Sequence, residues 1–216
     1  MIILSHRGYW KKSEEKNTLQ SIKKALVQGY GFESDIRDYK QKLVISHNIA
    51  DEESPDAETV FKMLHEYGDK YCFAINVKAD GLKEPLQEVI EKYNIKNYFT
   101  FDMSVPQMVE YYKQGITFFT RQSEYERQPI MLDESAGVWV DAFQDDSWID
   151  KNTIMRYLEM GKKVCIVSPD LHGKETQPFW KQLKEFQIDS DSLMLCTDKP
   201  DEAKDFFMKM RKSNGD

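Results

Sequence analysis

The chain has few cysteines, and this shortage already excludes some classes of protein. Its 216 residues include three cysteines, Cys72, Cys165 and Cys196. The odd number and the lack of a Cys-x-x-Cys pair argue against a disulfide framework and against a zinc site. All three lie inside short apolar runs, so we expect them to be buried free thiols.

Long apolar runs and basic tracts are also missing. No run approaches the roughly 20 residues needed to span a bilayer, so we expect no stable membrane insertion. The four apolar residues 1–4 are too short for a signal peptide, and we therefore expect a cytoplasmic protein. A net charge of -7 without a basic cluster argues against a nucleic-acid partner. No glycine-rich phosphate loop follows a predicted strand, which counts against a dinucleotide-binding fold.

Short β-branched or aromatic runs alternate with amphipathic stretches from one end of the chain to the other. This alternation predicts parallel strands joined by helices, and eight such units can close into a barrel. We expect a single-domain α/β protein, a (β/α)8 TIM barrel that covers residues 1–216. Residues 43–46 are either a hairpin partner or an extension of the second strand, and 121–134 are expected to be an irregular loop. The predicted strands are 2–4, 31–36, 71–77, 98–101, 116–120, 137–143, 163–167 and 193–196.

Polar residues cluster where the first predicted strands end, and active sites of such barrels lie at the carboxyl ends of the strands. Residues i and i+2 of a strand share a face, so Glu33 and Asp35 are expected to project together. Two adjacent carboxylates repel each other and favour a cation. With the amide oxygen of Asn76 they would suit Mg²⁺ or Ca²⁺, which prefer oxygen ligands. The clusters are Ser5-His6-Arg7-Gly8, Glu33-Ser34-Asp35, Ser46-His47-Asn48 and Asn76-Val77-Lys78.

Each cluster alone also has a simpler interpretation. A His-Arg-Gly sequence is often only a loop, and Glu-x-Asp is common on solvent-facing strands. Arg121 and His172 also follow predicted strands. They are possible substrate contacts, but a surface salt bridge and a loop hydrogen bond explain them as well.

Taken together, the clusters resemble the signature of the glycerophosphodiester phosphodiesterase family, within the superfamily of phosphatidylinositol-specific phospholipase C. The resemblance depends on His6-Arg7-Gly8, Asn17-Thr18, Glu33-x-Asp35 and His47. It implies that His6 and His47 are an acid-base pair. It also implies that Glu33, Asp35 and Asn76 bind Mg²⁺ or Ca²⁺, and that Arg7 and Lys78 face the substrate phosphate.

The chain departs from the family pattern at three positions. Lys16 stands where the family usually has glutamate, and Asn48 where it has aspartate. Asn76 replaces a third metal-binding carboxylate, which predicts weaker metal affinity, a different geometry or altered activity.

We therefore expect a metal-dependent hydrolase that cleaves a small glycerophosphodiester-like substrate to a phosphomonoester and an alcohol. A phospholyase of the same superfamily, a non-catalytic barrel that binds a phosphoryl ligand, and an unrelated metabolic enzyme remain alternatives. The sequence does not indicate the oligomeric state.

Overall fold

A computed structural model describes residues 1–208 of the chain. Its nine strands belong to one sheet. The strands are β1 (Ile2–Ser5), β2 (Gly31–Tyr39), β3 (Lys42–Ile45), β4 (Phe73–Val77), β5 (Tyr98–Phe101), β6 (Phe119–Gln122), β7 (Gly137–Val140), β8 (Lys163–Val167) and β9 (Leu193–Thr197).

Eight of these strands run parallel in the order β5-β4-β2-β1-β9-β8-β7-β6. The ring is completed between β5 and β6 by one parallel bridge, Thr100 to Phe118, and by a 2.9 Å hydrogen bond from Thr100 N to Thr117 O. The protein is thus a nearly closed (β/α)8 barrel, which confirms the predicted fold. The strand β3 forms an antiparallel hairpin with β2, so the first of the two interpretations of residues 43–46 is the right one.

Within residues 1–208, seven α-helices surround the barrel. Polar side chains cap several of them, as Thr18 does when its hydroxyl accepts from Ser21 N at the start of α1. Gly29 ends that helix with a φ of 85°, a conformation that favours glycine. The helices are α1 (Leu19–Gln28), α2 (Ala57–Tyr67), α3 (Lys83–Lys92), α4 (Val105–Gln114), α5 (Lys151–Glu159), α6 (Gln177–Glu185) and α7 (Pro200–Met208).

Two apolar layers hold the barrel together. The outer layer packs the helices against the strands, with Phe61 and Tyr157 among its fully buried side chains. The inner layer fills the barrel, where the rings of Phe99 and Phe119 stack at 3.7 Å. All three cysteines are buried and free, as predicted.

Some boundaries differ from those predicted. The strand β6 begins at Phe119 and includes Arg121, so the irregular loop starts at residue 123. This loop reaches β7 without a helix. The sequence pattern predicts a last helix over residues 201–212; the structure has α7 to residue 208, and residues 209–212 lie outside the described range. Within residues 1–208, every helix is too short or too polar to cross a membrane.

Candidate active site

His6 directly follows β1 and is paired with a carboxylate. Its Nδ1 lies 2.6 Å from Asp198 Oδ1. Asp198 follows β9, the parallel neighbour of β1 in which Thr197 is the register partner of Ser5. An ionised carboxylate only accepts hydrogen bonds, so His6 Nδ1–H donates to Asp198. Nε2 lies 3.8 Å from Glu33 Oε2.

Asp35 is completely buried among positively charged and amide groups. Arg7 Nε lies 3.0 Å from Asp35 Oδ2, and Lys78 Nζ lies 3.2 Å from Asp35 Oδ1. These are ion pairs without aligned hydrogen bonds, since neither Arg7 Nε nor Asp35 Oδ1 has a hydrogen-bond partner. Asn17 Nδ2 donates to Asp35 Oδ2 at 2.7 Å. Asp35 is therefore neutralised by groups of the protein itself.

The turn after β1 places Arg7 in a left-handed backbone conformation, with φ 55°. Gly8 follows with φ 81°, and a Cβ there would lie 2.7 Å from the carbonyl carbon of Ser21. Only glycine fits this turn without a shift of α1. The result is that Arg7 N donates to Glu33 Oε2 at 3.1 Å, which ties the turn to β2.

Glu33 lies on β2 two residues before Asp35 and is 1% exposed. Burial raises the pKa of Glu33 to about 7, and the negative charge of Asp35 adds to the shift. His6, Arg7 and Lys78 oppose the shift by stabilising the ionised form.

Asn76 is the register partner of Asp35 on the neighbouring strand β4. It is 8% exposed, and its Oδ1 has no hydrogen-bond partner within the described residues. The structure thus brings Glu33, Asp35 and Asn76 to one end of the barrel, with a single unsatisfied amide oxygen among them.

These three residues fit a divalent metal ion poorly. In residues 1–208 no group of three or more His, Cys, Asp or Glu side chains is arranged to hold one. Both oxygens of Asp35 already contact cationic or amide groups. A metal ion would have to displace Lys78 or approach its ammonium closely, and Asn76 offers no charge in return.

His47 lies apart from this cluster. It is exposed, on the loop that follows β3, and its Nδ1 is 3.1 Å from the Oδ1 of its neighbour Asn48. No hydrogen bond or ion pair within residues 1–208 joins it to His6. The backbone places it at the same end of the barrel, because Ser46 N donates to Asp35 O at 3.1 Å.

Lys16 joins the cluster from the turn before α1. Its Nζ lies 3.5 Å from Asp198 Oδ2 and 4.3 Å from the centre of the Trp10 ring. Trp10 Nε1 in turn donates to His6 O at 2.9 Å. We call this side of the barrel mouth the first wall. It consists of His6, Arg7, Lys16, Glu33, Asp35, Asn76, Lys78 and Asp198.

Arg121 lies on the other side of the mouth, between two carboxylates. Its Nη1 lies 3.1 Å from Asp102 Oδ1, and its Nε lies 2.5 Å from Glu126 Oε2. Burial raises the pKa of Asp102, while Arg121 and Lys78 lower it. Asp102 directly follows β5, and Lys78 directly follows its parallel neighbour β4, so the two sides belong to one mouth.

His172 forms a second histidine-carboxylate pair on that side. Its Nε2 lies 2.7 Å from Asp141 Oδ1, and Phe143 stands between His172 and Arg121, 5.2 Å from the imidazole and 5.5 Å from the guanidinium. The Glu124 carboxylate accepts from the backbone N–H groups of residues 143–145 and fixes this loop. We call the group the second wall. It consists of Asp102, Arg121, Glu126, Asp141, Phe143 and His172.

Sequence reasoning did not identify Asp198 as the partner of His6, nor Asp102 and Asp141 as partners of Arg121 and His172. Each of these aspartates directly follows a barrel strand, which is the signal that could have found them. A cavity of about 340 Å³ lies beside the His6 pair and is lined by Trp10, Asp170 and Asp198 among others. It offers room for a small organic group next to Asp198, the partner of His6.

Comparison with solved structures finds the same fold in phosphodiesterases. A glycerophosphodiester phosphodiesterase from Parabacteroides distasonis aligns with a TM-score of 0.70 at 12% identity, over 98% of both chains. An Oleispira antarctica phosphodiesterase in complex with the product sn-glycerol-3-phosphate gives a TM-score of 0.70 at 15% identity, over 96% of this chain and 97% of that one.

A Ca²⁺-dependent phosphatidylinositol-specific phospholipase C from Streptomyces antibioticus aligns less closely, with a TM-score of 0.56 at 12% identity over 95% of both chains. No protein-family profile and no curated protein matches the sequence. The chain therefore shares the barrel fold of the phosphodiesterase superfamily that its motifs resemble, with low sequence identity.

Proposed function

We propose that the protein is a phosphodiester hydrolase that cleaves a small glycerophosphodiester-like substrate to a phosphomonoester and an alcohol. The observation that carries the proposal is the His6–Asp198 pair beside Arg7 and Lys78. An oriented imidazole and two cations are what phosphoryl transfer requires for proton transfer and for charge stabilisation. The structural likeness to phosphodiesterases supports the same reaction class.

In this proposal, His6 accepts or donates a proton at the reacting oxygen. Asp198 holds Nδ1–H and so directs Nε2 at the reacting oxygen. Arg7 and Lys78 bind the phosphate, in exchange for part of their contact with Asp35. The attacking group is either water or a hydroxyl of the substrate, and both routes use the same His6 atom.

His47 is proposed as the second proton carrier, as the resemblance predicts. Its loop starts at the residue that pairs with Asp35, so a change of side-chain rotamer and loop position would bring it towards the phosphate. The resemblance also implies Mg²⁺ or Ca²⁺ at Glu33, Asp35 and Asn76, although both oxygens of Asp35 are already in contact with cationic or amide groups. The second wall would face the alcohol part of the substrate, with Arg121 and His172 as contacts.

A non-catalytic barrel that binds a phosphoryl ligand is the second candidate, and the position of His47 away from His6 favours it. The two functions separate in one experiment. Wild type and His6→Ala are incubated with a panel of glycerophosphodiesters and with bis(p-nitrophenyl) phosphate, each with and without Mg²⁺ or Ca²⁺, and the released monoester or p-nitrophenol is measured.

We expect turnover in wild type and a loss of roughly 10²- to 10⁴-fold in His6→Ala. His65→Ala is the matched control, because His65 is exposed on α2 and bonded to Tyr93 O; it should keep the wild-type rate. Binding of glycerol phosphate without turnover of any diester would support the second candidate instead.

A further inference from the structure

We propose that the first wall binds and cleaves its phosphodiester without a divalent metal ion, and that Lys16, Arg7 and Lys78 supply the positive charge. The inference rests on the proposed function and departs from the metal requirement that the resemblance implies. It concerns only how the charge of the phosphate is balanced.

The first argument is the charge of the first wall. Its three cations, Arg7, Lys16 and Lys78, equal its three carboxylates, Glu33, Asp35 and Asp198, so its formal charge is zero. A pair of acids demands a cation only when nothing else neutralises it. A divalent ion would leave this wall with a charge of +2, next to ammonium and guanidinium groups that already occupy the carboxylates.

The second argument is that the oxygen atoms that would bind a metal ion already have other partners or carry no charge. Asp35 Oδ2 accepts from Asn17 at 2.7 Å and lies 3.0 Å from Arg7 Nε. Asp35 Oδ1 lies 3.2 Å from Lys78 Nζ. Asn76 Oδ1 is unsatisfied, but it is one neutral acceptor, and a substrate hydroxyl would satisfy it as well as a cation.

The third argument is that Lys16 has a defined place in the site. Its side chain is 26% exposed, and its Nζ is held between the Asp198 carboxylate and the face of Trp10, 4.3 Å from the ring centre. A cation over an aromatic face is stabilised electrostatically. Lys16 therefore adds a fixed positive charge beside His6, where an acid would have favoured a metal ion.

The experiment measures metal binding directly. EDTA-treated, dialysed wild type is titrated with Mg²⁺ and with Ca²⁺ by calorimetry, beside Asn76→Asp, Lys16→Glu and the double variant. We expect no saturable binding by wild type up to about 1 mM, the range of the weakest protein calcium sites. The double variant should gain a saturable site, because it replaces one cation by an acid and one amide by an acid.

Asn152→Asp, which adds one charge on the exposed start of α5, should behave as wild type. Circular dichroism and thermal unfolding establish that each variant is folded, and the titration of wild type decides the matter even if the double variant does not fold. Saturable 1:1 binding by wild type at micromolar concentration, lost in Asp35→Asn, would overturn the proposal.

A parallel measurement of activity distinguishes a failure of this inference from a failure of the proposed function. Diester cleavage by wild type in EDTA should equal the rate with added Mg²⁺ or Ca²⁺. A rate that falls at least tenfold in EDTA and returns with metal would overturn metal independence while supporting the phosphodiesterase. Absence of turnover under all conditions would contradict the proposed function, and therefore also the claim that this wall cleaves a diester without metal.

Discussion

The two walls of the barrel mouth differ in how many cations and carboxylates they pair. In the first wall, Arg7 and Lys78 share the single carboxylate of Asp35. In the second wall, Arg121 stands between the carboxylates of Asp102 and Glu126. With His172 neutral, the second wall has one cation against three carboxylates and a formal charge of -2. An anionic phosphate therefore meets no net repulsion at the first wall, whose formal charge is zero, and is repelled by the second, where hydroxyl groups fit better.

The largest effect expected from this difference concerns Lys78. Lys78→Met removes a cation that we place on the phosphate, and kcat/KM should fall by roughly 10²- to 10³-fold, as when one charge-stabilising donor is lost. Asp35 stays paired with Arg7 and Asn17, so the variant should fold. Steady-state kinetics on a cleaved diester measures the effect, with the exposed Lys113→Met as control. A decrease below threefold would remove Lys78 from the site.

The next effect concerns the orientation of His6. Asp198→Asn leaves the imidazole without its carboxylate acceptor, and kcat should fall by about 10²-fold, at the lower end of what an acid-base group contributes. KM should change little, because Asp198 does not face the phosphate. Asp201→Asn is the matched control, since Asp201 lies three residues further on and contacts Tyr9 and Tyr30. Equal loss in both variants would indicate a general disturbance of the loop after β9.

The third prediction distinguishes the two walls by the effect of a substitution on the stability of the protein. Arg121→Gln leaves Asp102 and Glu126 without their cation, and unfolding should become easier by about 2 kcal/mol, since hydrogen bonds to charged groups contribute ~1.5–3 kcal/mol. Phosphate affinity should stay within a fewfold of wild type. Thermal unfolding and product inhibition measure the two quantities. A large loss of phosphate affinity with unchanged stability would move the phosphate to the second wall.

The loss of stability in Arg121→Gln should also depend on pH. Burial raises the pKa of Asp102 and Arg121 opposes this shift, so removal of Arg121 raises the pKa further. An acid whose pKa is raised by folding loses stability as pH rises from its unfolded value through its folded value. The deficit of Arg121→Gln should therefore grow with increasing pH above the ordinary aspartate range, and shrink in acid. A deficit independent of pH would contradict this account.

The smallest difference in stability between the two halves of the ring is expected at the end opposite the mouth, where Gly31 and Gly137 begin their strands. A Cβ on Gly31 would lie 2.7 Å from Cys72 O, and one on Gly137 would lie 2.4 Å from Lys163 O. Each alanine variant forces neighbouring strands apart and should cost about 1–3 kcal/mol, as overpacking does. Denaturant unfolding measures both.

The barrel and the first wall could be predicted from local patterns. Alternation of strands and helices predicted the eight-stranded ring, and the period of two along β2 placed Glu33 and Asp35 together. The start of β6 was predicted at residue 116, too early: Ile116 is apolar and buried but precedes the pairing, and Phe118 forms only a single bridge with Thr100. Apolar residues report burial, and they do not by themselves mark where strand pairing begins.

Partnerships between strands could not be predicted in the same way. Asp198 meets His6 across 192 positions of sequence, and Asp141 meets His172 across 31. Such contacts depend on which strands are neighbours in the closed ring and on the path of each loop. The second wall was therefore seen only as two isolated residues, Arg121 and His172, and its carboxylates were missed.

The most direct test of the account is a crystal structure with sn-glycerol-3-phosphate bound after treatment with EDTA. The account predicts the phosphate within hydrogen-bond distance of Arg7 and Lys78, with His6 Nε2 directed at a phosphate oxygen and no metal ion between Glu33, Asp35 and Asn76. The glycerol hydroxyls should point to the second wall. A phosphate bound by Arg121 and His172 would contradict the account.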